Sequence, residues 1–152
     1  MNRVTGLAVA TGILAALLVK FAPALSIGPI AAVVGFAVYF AAGGKVIGLL
    51  KALASMLAGV VWQLLANMLL VSYESALGPY RWVLFGLVAF AIVLQSRITV
   101  LSSIPGGLCG AAMTSHASVL RPDGILVGTA LIVGAVAGFA ADAAAGMISK
   151  KA

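Results

Sequence analysis

The chain has 152 residues, of which 64% are hydrophobic and only 8% charged, and its mean hydropathy is +1.25. A soluble domain carries about 25% charged residues, and a chain this short could not hide so much apolar surface from water. The formal charge of +6 does not point to nucleic acid, because the nine basic residues stand singly beside apolar runs, apart from Lys150-Lys151, as headgroup anchors do.

The apolar runs are continuous and rich in Ala, Leu, Gly and Val, which fits helices and not the alternating strands of a membrane barrel. The expected fold is an all-α polytopic membrane protein of about six short transmembrane helices in a single domain. Any substantial aqueous catalytic module would have to come from a partner.

The first helix is expected over about Val4 to Phe21, with Lys20 snorkelling at its end. Arg3, the following apolar run and Ala22-Pro23-Ala24 imitate a signal peptide, but the segment reads as a retained first helix. Pro29 suits the opening turn of a second helix, which Gly43-Gly44 stops after 15 or 16 residues. That length is ~24 Å at 1.5 Å per residue, marginal for a full crossing.

A third helix is expected over about Ile47 to Val71. Ser55, Gly59, Gln63 and Asn67 recur every four residues along it as a small-and-polar stripe, with Trp62 beside it. Residues Ser72 to Arg81 read as a polar loop in which Tyr73, Tyr80 and the following Trp82 are interface anchors. The fourth helix spans about Trp82 to Leu94 and is closed by Gln95, Ser96 and Arg97.

The segment Ile98 to Val119 is the least regular. Pro105 with Gly106-Gly107 makes it either a kinked helix or a short lead-in followed by a half-helix, in effect a broken fifth helix. The sixth helix runs from about Gly124 to Met147. Gly124 with Gly128, and Gly134 with Gly138, form G-x-x-x-G pairs that bring backbones close, and Asp142 continues the latter spacing.

Six crossings with both termini in the cytoplasm place Arg3, Lys45, Lys51, Arg97, Lys150 and Lys151 inside and Lys20, Arg81 and Arg121 outside, as the positive-inside rule favours. Each half holds three apolar segments with a proline in the middle one. An odd number of crossings per half would make residues 1–76 and 77–152 a 3+3 inverted repeat, an arrangement common in transporters.

The candidate lining of a pore or polar cavity is Gln63, Asn67, Ser102, Ser103, Pro105, Gly106, Gly107, Thr114, His116 and Asp142. A carboxylate such as Asp142 in an apolar span costs roughly 2.5 to 3.5 kcal/mol, unless it reaches headgroups or a polar partner. His116 could shuttle a proton or sit hydrogen-bonded at the outer interface. Gln63 and Asn67 either glue helices or offer donors and acceptors to a neutral solute. Gly43, Gly44, Gly59, Gly124, Gly128, Gly134 and Gly138 are the expected helix-packing positions. No enzyme motif stands out, no cofactor or metal site is expected, and Cys109 reads as a small buried hydrophobe.

Tyr39-Phe40-Ala41-Ala42-Gly43-Gly44, the lysine-containing start of the third helix and the overall length resemble the small bacterial inner-membrane proteins grouped as domain of unknown function 1097. That resemblance implies an inner-membrane location and no settled activity. The short helix ending at Gly43-Gly44 and the break near Pro105 are similar in form to the repeats of urea channels. The expected role is a small channel or transporter subunit, homo-oligomeric among membrane lipids, for a small neutral or weakly charged solute. The alternative is a non-transporting scaffold or accessory subunit.

Overall fold

The computed structural model describes residues 3–22, 24, 26–115 and 123–150. Its helices are α1 (Arg3–Phe21), α2 (Pro29–Ala41), α3 (Lys45–Ser72), α4 (Glu74–Leu77), α5 (Arg81–Gln95), α6 (Ile104–Thr114) and α7 (Asp123–Lys150). No strand occurs among the described residues.

Among the described residues four segments are long and apolar enough to cross a bilayer: Val4–Phe21, Lys45–Ser72, Gly78–Gln95 and Gly124–Met147. Helix α2, with 13 residues, and α6, with 11, reach only ~20 Å and ~16 Å. Neither fills a ~30 Å hydrocarbon core by itself.

Helix α2 begins at Pro29, with Gly28 extended before it, and ends in a Schellman arrangement. The Gly44 amide donates to the Tyr39 carbonyl and the Gly43 amide to that of Phe40. Gly43 (φ 97°) and Gly44 (φ 67°) adopt the left-handed backbone this turn requires. The pair therefore turns the chain directly into α3.

Two sequence-based expectations change here. The polar loop after α3 is largely helical: α4 follows Tyr73, and Gly78–Tyr80 form a 3-10 turn leading into α5. The interruption before α6 lies at Ser102-Ser103, not at the Pro-Gly-Gly step. A 3-10 turn over Thr99–Leu101 precedes it, and Pro105 sits in the first turn of α6, where a missing amide hydrogen costs nothing. The Ser103 hydroxyl accepts the Gly106 amide at 3.3 Å and caps the helix.

Helix α7 packs mainly on α2 and α1, and α3 packs mainly on α6, then on α7 and α5. The two long helices also meet each other, and the largest core cluster joins them to α2 through Tyr39, Met56, Val60 and Leu131. Flanking clusters join α2 to α7 around Ala31, Ala32 and Ala130, and α5 to α3 and α6 around Ala66, Val88, Ile92 and Ala111. On α5 only Val88 and Ile92 are buried, four residues apart on one face, while Trp82, Phe85, Leu87 and Phe90 point outward as lipid-facing residues do.

The closest helix contacts come in two matching sets. A Cβ on Gly59 of α3 would be driven into the Gly107 carbonyl of α6, and one on Gly134 of α7 into the Ala32 carbonyl of α2. In return, a Cβ on Gly110 would strike the Met56 carbonyl, and one on Gly35 the Leu131 carbonyl. Every residue of one set lies 75 positions from its counterpart in the other.

Candidate functional site

The stripe on α3 faces α5 and α6 and forms a polar seam between them. Ser55 is fully buried and Gln63 nearly so. The Gln63 side-chain amide donates to Asn67 Oδ1 at 3.0 Å, and Asn67 Nδ2 donates to the Thr114 carbonyl at 3.2 Å, so Asn67 caps the end of α6. The buried Thr114 hydroxyl turns back to the Gly110 carbonyl at 2.8 Å. Trp62 Nε1 donates to Gln95 Oε1 at 2.9 Å, linking α3 to α5.

Three atoms in this seam are buried without a hydrogen-bond partner among the described residues: Ser55 Oγ, Gln63 Oε1 and Gln95 Nε2. In apolar surroundings an unpaired polar group costs ~1–3 kcal/mol. Gly106 and Gly107 make the close packing here possible. The Gly106 Cα faces the Ser55 side chain and that of Val38, and Gly107 faces Ile92 with the Gln95 amide nearby.

A second polar locus lies where α2 turns into α3. The Tyr39 hydroxyl, on a fully buried side chain, donates to Asp142 Oδ2 at 2.9 Å. Asp142 therefore turns inward to α2. Gly44 sits against the same pair, which explains why this turn carries no side chain. Beyond the turn, Ala41, Ala42, Lys51, Ser102, Ser103 and Pro105 line a small cavity of about 170 Å³.

The sequence-based candidates thus separate. Gln63, Asn67, Thr114, Gly106 and Gly107 come together in the seam, Ser102, Ser103 and Pro105 line the small cavity, and Asp142 joins Tyr39. His116 lies outside the described residues. Of the expected packing glycines, Gly59, Gly134 and Gly138 make close contacts, Gly124 meets only the flexible end of Leu64, Gly128 has ordinary packing, and a Cβ on Gly43 would meet nothing.

Sequence reasoning passed over Ser55, Gln95 and Tyr39 as site residues, and Gly35 and Gly110 as packing ones. The four-residue spacing held the signal for Ser55. Nothing along the chain marks a buried tyrosine as the partner of an aspartate 103 positions away. Among the described residues no group of three or more His, Cys, Asp or Glu side chains could hold a metal ion.

Apolar spans, helices joined through glycine and a buried polar seam define a polytopic all-α membrane protein. The chain belongs to the family described as "Protein of unknown function (DUF1097)", whose model matches residues 8–146. It is similar to the inner membrane protein YcdZ of Escherichia coli (strain K12), with 33% identity over 145 residues, covering 92% of this chain and 84% of the relative. Inner membrane protein YcdZ of Salmonella typhimurium (strain LT2) is likewise 33% identical, over 92% of this chain and 86% of its own. No solved structure matches.

Proposed function

We propose that the protein is a channel or transporter subunit of the bacterial inner membrane that moves a small neutral or weakly charged solute. The observation carrying this reading is the set of orphaned atoms, Ser55 Oγ, Gln63 Oε1 and Gln95 Nε2, in the seam between α3, α5 and α6. Together they offer a hydroxyl, an amide acceptor and an amide donor. Ser55 and Gln63 stand ~12 Å apart along α3, so separate waters, or a solute with both donors and acceptors at successive positions, satisfy these atoms, and the absence of a charged group from this set favours a neutral solute.

The inner-membrane location rests on the names of the two relatives. Cytoplasmic termini, read from the distribution of basic residues with α2 and α6 counted as crossings, and assembly as a homo-oligomer belong to the same proposal. The two halves, 1–76 and 77–152, are read as an inverted repeat, supported by the matching contacts 75 positions apart. No bond-making chemistry is part of the reading.

A scaffold without transport is the second reading. The backbone-to-backbone contacts of Gly134 with Ala32 and of Gly59 with Gly107 favour it, because they close any route between α2 and α7 or between α3 and α6 at those levels.

Solute flux into liposomes separates the two. Reconstituted protein is expected to speed entry of at least one of urea, ammonia, glycerol and short acids over protein-free liposomes, and Gln63→Leu is expected to slow it at least tenfold. Flux equal to that of empty liposomes for the whole panel, or flux indifferent to Gln63→Leu, contradicts a solute path through this seam.

A further inference from the structure

The small polar cavity does not stand alone. Lys51 also lines a larger cavity of about 390 Å³, shaped by Ile47, Leu50, Leu53, Thr99 and Val100. The larger cavity is walled almost wholly by carbon, and its rim residues Ile47 and Leu50 are among the most exposed apolar side chains of α3. The smaller one presents the serines Ser102 and Ser103. An apolar groove and a polar pocket therefore meet at a single lysine.

Lys51 lies six residues into α3, ~9 Å along its axis. Its side chain is half-buried and makes no hydrogen bond or ion pair with another described residue. A cation at that depth needs either water, reached by snorkelling, or an anion from the membrane surface beside it. The first-turn amides of α6 are not available for this, since Ser102 and Ser103 already take those of Ile104, Gly106 and Gly107. Recognition therefore falls to the Lys51 ammonium and the serine hydroxyls. The exposed Arg97 stands two residues before Thr99 and adds positive charge near the same rim.

We propose that these two cavities form one binding site for an anionic phospholipid, with its phosphate against Lys51 and Ser102 in the polar pocket and the start of an acyl chain in the groove between α3 and Thr99-Val100. The combination selects the ligand. A free phosphate would leave the groove unfilled, and a zwitterionic lipid would bring its own headgroup cation beside Lys51 and Arg97, whereas an anionic lipid adds a net negative charge there. The site does not depend on whether the protein transports a solute.

Native mass spectrometry of the protein in neutral detergent tests this, with phosphatidylglycerol, phosphatidylcholine of the same chains and inorganic phosphate offered separately. The expected result is selective retention of phosphatidylglycerol, lowered about fivefold by Lys51→Gln, the effect of about one interfacial charge. Ala54→Phe, which fills the groove, is expected to weaken lipid retention also. Lys45→Gln, at a lysine lining neither cavity, is expected to leave it unchanged. Equal retention of the two lipids, retention of phosphate alone to the same extent, or a Lys45→Gln effect as large as that of Lys51→Gln would each overturn the site.

Discussion

The Tyr39 hydroxyl donates to Asp142 Oδ2 at 2.9 Å, and this bond has a counterpart, 75 positions away at each partner, in the donation from Asn67 Nδ2 to the Thr114 carbonyl at 3.2 Å. Both tie a short helix to a long one. They differ in chemistry, since the long helix supplies a carboxylate acceptor in one and an amide donor in the other. Tyr39→Phe is expected to lower stability in detergent by about 1 kcal/mol, read as a loss of melting temperature. Asp142→Asn keeps an acceptor for the hydroxyl and is expected to cost less than Asp142→Leu.

The glycines at the helix crossings provide a sharper contrast. Gly59→Val and Gly134→Val force a side chain into the facing backbone carbonyl, and each is expected to destabilise by ~1–3 kcal/mol or to abolish a monodisperse peak in size-exclusion chromatography. Gly12→Ala and Gly86→Ala meet nothing within 4 Å and are expected to be neutral or to stabilise by up to ~1 kcal/mol.

Within the seam, stability and permeation should part company. Ser55 Oγ has no partner among the described residues to lose, and a bond to water in the seam adds little net stability, so Ser55→Ala is expected to change the unfolding free energy by less than ~0.5 kcal/mol or to raise it. Asn67→Leu removes the bond from Gln63 within α3 and the interhelical bond to the Thr114 carbonyl, and is expected to cost about 1 kcal/mol, ~0.6 kcal/mol of it from the interhelical bond. Thermal unfolding of the purified variants reads this difference.

Most of the helical architecture is legible in the residues. Apolar runs bounded by lysine, arginine, proline and glycine placed α1, α3, α5 and α7 to within a few positions, because in lipid a helix must satisfy its own backbone. The stretch after Ser72 was harder: its tyrosines and Glu74 look like a loop, yet α4 and the 3-10 turn form there. Pro105 misled for a related reason. Proline breaks a helix from within but opens one at the first turn, and only the cap at Ser103 decides between them.

For the site, the four-residue stripe on α3 revealed Gln63 and Asn67, since spacing alone puts them on one face. It could not reveal Gln95 or Tyr39, whose roles depend on which helices become neighbours. The matching contacts were still less visible, because the halves share few letters: Gly35 with Gly110 and Gly59 with Gly134 are among the few identities 75 positions apart.

The central claim is that water or solute reaches the seam between α3, α5 and α6. Its most direct test is thiol labelling in intact membranes, using single cysteines Ser55→Cys, Gln63→Cys and Gln95→Cys in a Cys109→Ser background, with Val61→Cys and Leu65→Cys as lipid-facing controls. A small water-soluble thiol reagent needs the thiolate, which forms in water and not in hydrocarbon. The account expects the three seam cysteines to react and the two controls to stay unmodified; seam cysteines as inert as the controls would contradict it.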